Sequence, residues 1–161
     1  MKSTEEILEL LKGKFGSDII GLVSAPPEKM IDVTPASLYN VAVFLRNNEE
    51  LDFDNLMLLS GLDDANGSTL SVVYHIESVK EKHKLVLRVT VPKDNPITES
   101  VVKVWECANW HEREAFDLIG IKFNNHPNLI RILMPYDWNA GHPLRKDYKN
   151  PEFYQGMKVP Y

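Results

Sequence analysis

The stretch TLSVVYHIES (69–78), VKEKH (79–83), KLVLRVTV (84–91) decides the fold of this chain. In the last segment Leu85, Leu87, Val89 and Val91 alternate with Val86, Arg88 and Thr90, the two-residue period of a strand with one face buried. Thr69 to Ser78 reads as its partner. The polar run between them is short enough for a turn, so the two form a hairpin.

Working outward, Leu56 to Leu62 is an apolar run that fits a buried strand or a short helix. Towards the N-terminus, Ser3 with Glu6 forms a capping-box signature. Ile7, Leu8, Leu10, Leu11 and Phe15 keep helical spacing, and Gly16 suits the stop. Ile19 to Val23 predicts a short strand cut by Pro26-Pro27, and Ile31 to Thr34 a weaker one. Thr34-Pro35 is expected to open a second helix carrying Leu38, Val41, Ala42 and Leu45, ended by Asn47-Asn48. Beyond the hairpin, Ile97 to Ile119 is expected to be mostly helical, broken near Cys107 to Asn109 and terminated by Gly120. Ile121 to Phe123 and Ile130 to Met134 are expected to be extended. Helices, then strands, then helices give an α+β class: helices packed on an antiparallel or mixed sheet. From Pro135 onward Gly, Pro and aromatic residues replace regular periodicity. The expected organisation is one domain over 1–144 and an extended arm over 145–161.

Composition narrows the functions. A chain of 161 residues, 43% hydrophobic and 25% charged, is an ordinary globular domain. The single cysteine, Cys107, cannot form an internal disulfide or supply the four or so thiolates of an iron–sulfur cluster. Met1 to Leu11 carries Lys2, Glu5, Glu6 and Glu9 without an apolar core, so no secretory signal is expected. The longest stretch free of charge and histidine, Val33 to Leu45, is too short and too polar to span a bilayer. A net charge of −5 speaks against nucleic acid. The arm is the exception, with Arg145, Lys146, Lys149 and Lys158 against Asp147 and Glu152, a net of +2. It also carries Tyr148, Phe153, Tyr154, Met157 and Tyr161. Disordered tails are poor in aromatics, whereas interfaces are rich in them.

The densest chemistry lies in Glu112-Arg113-Glu114, Asp117, Leu118, Ile119, then His126, Ile132 and Leu133, followed by Gly141-His142-Pro143-Leu144-Arg145-Lys146-Asp147-Tyr148. Arg113 and Asp117 stand four apart and can pair on one face, either as an exposed pair or within a partly buried network including Glu112 and Glu114 beside Trp110 and Phe116. Within that network, removing Arg113 would cost more than about 2 kcal/mol. Glu112 and Glu114 point roughly 200° apart on a helix and so do not converge as a catalytic pair. The five histidines, His75, His83, His111, His126 and His142, lack zinc-ligand spacing. His126-Pro127 and His142-Pro143 read as turns. Neither G-x-G-x-x-G nor a P-loop occurs, so no NADH or nucleotide site is indicated on this chain.

This pattern resembles the signature of the thirty-kilodalton-type subunit of respiratory NADH dehydrogenase (complex I), known in bacteria as the C subunit of NADH-quinone oxidoreductase. Ile130 departs from it, standing where that family usually has a basic residue or proline. The resemblance covers roughly residues 50 to 150 and includes Asn109-Trp110 and the Gly141–Tyr148 run. It implies a subunit without cofactors of its own, within a complex that uses FMN, iron–sulfur clusters, NADH and quinone. It implies docking on the large hydrogenase-like subunit that helps form the quinone site, and a peripheral place on the cytoplasmic side of the bacterial inner membrane. The complex would be a proton-translocating NADH:quinone oxidoreductase, the isolated chain inactive. Glu112, Arg113, Glu114, Asp117, His126, Arg145, Lys146, Asp147 and Tyr148 are the implied signature and partner-binding residues, and the aromatic composition of the arm adds Phe153 and Tyr154 as partner-binding residues. Alternatives are the equivalent subunit of a cyanobacterial or plastid NAD(P)H dehydrogenase-like complex or of a membrane-bound hydrogenase. A small hydrolase using Glu112, Glu114 or His126 would need groups that converge; a nucleic-acid-binding module would need more charge than the arm carries.

Overall fold

The computed structural model describes residues 2–25 and 28–159. Met1, the Pro26-Pro27 break and the arm's last residues, Pro160 and Tyr161, lie outside the described residues.

The hairpin forms as read. β4 (Thr69–Ser78) pairs antiparallel with β5 (His83–Pro92) in continuous register, Leu70 opposite Val91 and Tyr74 opposite Leu87. β3 (Asn55–Asp63) pairs antiparallel with β4, with one irregularity between Leu56 and Leu58. On the other side β5 meets β2 (Glu28–Val33) in parallel, and β2 pairs antiparallel with β1 (Ile19–Ala25). The sheet is therefore mixed, ordered β1-β2-β5-β4-β3. The strand alternation buries Leu70, Val72, Tyr74 and Ile76 with Leu85, Leu87, Val89 and Val91 on one face.

Three helices share the core with that face. α1 (Thr4–Phe15) starts at the Ser3–Glu6 capping box and buries Ile7, Leu8 and Leu11; Gly16, at φ 56°, ends it. α2 (Leu38–Asn47) buries Leu38, Val41, Ala42 and Leu45. It starts later than expected: the chain turns through Pro35 to Ser37 first, and the Thr34 hydroxyl is buried without a partner instead of capping. α3 (Ala108–Leu118) crosses β3 so closely that a Cβ on Gly61 would meet the Ala115 Cβ at 3.0 Å.

The long helix expected over 97–119 is a correction. Ile97–Glu99 is a strand, β6, parallel to β7 (Lys122–Asn124), and helix begins only at Ala108, inside the expected break. Pairing with a segment more than twenty residues downstream overrides local helical periodicity. The expected extended piece at 130–134 is a bend rather than a strand. In the arm, β8 (Phe153–Tyr154) and β9 (Met157–Lys158) make a small hairpin. Among the described residues no helix is long and apolar enough to cross a membrane.

Candidate functional site

α3 is the centre of the site, and each end of it is fastened to a different loop. Glu112 faces inward and is fully buried. One carboxylate oxygen accepts the Val101 amide at 2.8 Å, which ties the loop after β6 to the helix; the other has no partner. Burial raises the Glu112 carboxyl to about 7, against the opposing pull of the Ser100 hydroxyl and the Val101 amide. The buried Tyr74 hydroxyl, also without a partner, feels that carboxylate and is itself raised, chiefly by burial.

Asp117, one and a half turns on, is also fully buried and in the opposite electrostatic condition. Its Oδ2 accepts three successive amides, Ile132 at 3.1 Å, Leu133 at 2.8 Å and Met134 at 2.9 Å. Such a run of amides forms a concave anion nest. Arg131 donates to Oδ1 at 2.7 Å. Burial pushes the Asp117 carboxyl up, but the amides and Arg131 outweigh it and hold the group below its ordinary value. The expected Arg113–Asp117 pair does not form. Three fixed amides and a guanidinium outcompete an i,i+4 neighbour on the helix exterior. Arg113 instead donates from Nε to the Ile130 carbonyl at 3.2 Å and lies 4.8 Å over the Trp110 ring. Glu114 is exposed, so the four charges do not make one network.

The second motif closes the C-terminal end of α3, where carbonyls lack intrahelical partners. The Leu144 amide donates to the Leu118 carbonyl at 3.0 Å, and Arg145 Nε to the Ile119 carbonyl at 2.6 Å. His142 Nδ1 stands 3.0 Å from the Asp117 carbonyl. A cation there also complements the helix dipole. Gly120, at φ 85°, allows the approach: a Cβ would lie 2.5 Å from His142 Nε2 and 2.8 Å from Arg145. Past this cap, Asp63 accepts the Lys146 amide at 3.1 Å and pairs with Lys93 at 3.0 Å, and Lys93 reaches Asp147 at 3.2 Å. The Lys93 bond, with the Lys146 and Ala65 amides, lowers the Asp63 carboxyl to about 2. Contacts with residues before the boundary expected at Leu144 thus run on through Asp147, and again from Tyr154 and Gln155 to Asp137.

His126 shapes a turn, as its proline neighbour implied. Nδ1 accepts the Asn128 amide at 3.0 Å, so Nε2, 3.3 Å from the Asn109 carbonyl, carries the proton. Tyr148 caps a turn through its amide to the Arg145 carbonyl. Phe153 is exposed, whereas the Tyr154 hydroxyl donates to Asp137 at 2.9 Å beside the Trp138 ring. The signature therefore divides. Glu112, Asp117 and Arg145 organise loops, and Arg113, Glu114, Phe153 and the segment held on Asp117 face outward. The residues missed in the sequence, Arg131, Asp63 and Lys93, are the distant partners of the motifs. Glu112, Glu114 and His126 do not converge on one point. No cluster of three metal-ligating side chains occurs among the described residues.

Residues 31–154 match the respiratory-chain NADH dehydrogenase 30 kDa subunit. The chain belongs to that family. The match reaches further towards the N-terminus than the motifs themselves, taking in the end of β2 and all of α2. The C subunit of the NADH-quinone oxidoreductase of Chloroherpeton thalassium is 43% identical over 98% of the chain; the chain spans 65% of that relative's length. The same subunit of Chlorobium phaeobacteroides is 39% identical over 95% of the chain and 93% of its own length. Among solved structures, a trypsin-resistant fragment of Nqo5 is similar at a TM-score of 0.54 and 27% identity, covering 78% of the chain and 98% of the fragment. A chain of an archaeal membrane-bound sulfane sulfur reductase shares the fold, with a TM-score of 0.57, 17% identity and coverage of 90% and 85%. In this member of the family Glu112, Asp117 and Arg145 of the signature fasten loops to α3.

Proposed function

We propose that this chain is a subunit of a proton-translocating NADH:quinone oxidoreductase, without cofactors of its own, whose work is to hold neighbours in register. It sits peripherally on the cytoplasmic side of the bacterial inner membrane and docks on the large hydrogenase-like subunit. FMN, iron–sulfur clusters and the NADH and quinone sites belong to other subunits. Electron transfer depends on fixed distances between those centres, so a rigid neighbour supports catalysis without touching the reactants. The isolated chain is then inactive towards NADH.

The observation that carries this reading is the use of the signature. Glu112, Asp117, Arg131 and Arg145 are spent on fixing loops against α3, while the sheet, the helix cap and the Asp63–Lys93–Asp147 cluster fasten the start of the arm. Such a scaffold presents a surface; it does not arrange reacting groups. The arm beyond Asp147, with Phe153 and Met157 exposed, is a second contact to the partner. The trypsin resistance of the Nqo5 fragment supports a division between a stable body and a separable remainder.

The test is co-expression with the large hydrogenase-like subunit, comparing the full chain with a form ending at Asp147. The full chain is expected to co-purify with it and the shortened form to do so much more weakly, both with the same circular dichroism. Equal recovery would remove the arm from the interface.

A further inference from the structure

We propose that the outer face of α3 together with the loop held on Asp117 is a docking surface for an apolar protein segment bearing a carboxylate, which Arg113 receives. This deepens the docking role proposed above and rests on it.

Three observations converge. The first is shape. Between α3 and the loop lies a groove of about 600 Å³, walled by Phe116, Ile130, Arg131, Ile132, Met134 and Tyr136. The second is composition. Trp110 is 64% exposed, Ile130 52%, Leu133 59% and Tyr136 96%. Arg113 joins Trp110 to the groove: it lies over the Trp110 ring and bonds to Ile130, which lines the groove with Tyr136. Contiguous apolar exposure of this kind marks interaction sites, and Trp, Tyr and Arg are the usual anchors. The walls are also rigid, because three amides on buried Asp117 fix residues 132–134. A pre-formed surface loses little entropy on docking.

The third observation selects the occupant. Arg131 is neutralised by Asp117, but Arg113 forms no salt bridge among the described residues. Its Nε is used on a carbonyl, and its ring contact with Trp110 orients the guanidinium. His126, close enough to feel Arg113, adds no negative charge. Glu114, one residue on, points about 100° round the helix. A cation already oriented beside exposed aromatics is complementary to a carboxylate flanked by large apolar side chains. A wholly apolar or basic segment would leave Arg113 desolvated and unpaired.

The experiment titrates the full chain against the purified large hydrogenase-like subunit. It compares wild type, Arg113→Glu, Tyr136→Ala and the control Ile20→Ala on the distant β1 edge. Arg113→Glu and Tyr136→Ala are each expected to weaken binding at least about tenfold, with the control within about twofold. Wild-type affinity should fall with added salt, and that dependence should shrink in Arg113→Glu. Both test positions are outward-facing, and thermal melts confirm that each variant folds. Wild-type binding that both variants retain overturns the groove but leaves the docking role standing. No wild-type binding overturns both. A wild-type dimer that Tyr136→Ala dissociates assigns the groove to a second copy and overturns the proposal.

Discussion

Replacing Glu112 with glutamine should change how the chain's stability depends on pH. Glu112 is fully buried, with one oxygen on the Val101 amide and the other without a partner. Its folded-state value is raised from 4.5 to about 7, chiefly by burial. Between those values the folded chain holds a proton that the unfolded chain releases. Stability from this group is therefore complete below the unfolded value and is lost as pH rises through the folded one. At about 1.4 kcal/mol per pH interval, the loss amounts to about 3 kcal/mol by pH 8. Glutamine keeps the acceptor for Val101 and never ionises. Its amide adds an offset that does not vary with pH, so the informative quantity is the difference between the two profiles. Denaturant unfolding of both proteins from pH 4.5 to 8.5 measures it. The wild type should lose about 3 kcal/mol relative to Glu112→Gln across that range. Parallel profiles would show that the carboxyl is solvated or ion-paired and would refute the reasoning.

Asp117→Asn should destabilise by roughly 3–5 kcal/mol in the same assay, because Arg131 loses its partner and the amide nest its charge. Arg113→Ala, by contrast, should stay within about 1 kcal/mol, since the pairing that would have made it costly does not form; a larger loss would mean that the exterior of α3 carries the fold. Gly120→Ala should lower stability by roughly 1–3 kcal/mol, from its positive φ and from the clash with His142 and Arg145; thermal melts decide this. Deleting 148–161 should leave the melting temperature nearly unchanged, whereas deleting 145–161 should lower it, because Arg145 caps α3 and Asp147 anchors on Lys93.

What could be read from the sequence was local. The hairpin, the Ser3–Glu6 box and the apolar stripe of α2 are stated by neighbouring residues and form as read. What could not be read depended on distant partners. Val101 to Trp105 looks helical, yet Ile97–Glu99 pairs with Lys122–Asn124 and the Val101 amide is taken by Glu112. The spacing of Arg113 and Asp117 predicted a pair, but nothing near them announced that Arg131 and the next three amides would claim the carboxylate. The capping of α3 by His142 and Arg145 had a signal, basic residue types after a helix end, but more than twenty residues, β7 among them, separate them from it. The ionic motif and its partial burial were legible; the partners its carboxylates take were not.

The central claim, a scaffold subunit that docks on the hydrogenase-like subunit of an NADH:quinone oxidoreductase, is tested most directly by purifying the tagged chain from membranes of its native host. Quantitative mass spectrometry of the purified material should find the large hydrogenase-like subunit in equal amount, together with subunits carrying FMN and iron–sulfur clusters, and the preparation should reduce quinone with NADH. Recovery of the chain alone, or in an assembly lacking the hydrogenase-like subunit, would contradict the account.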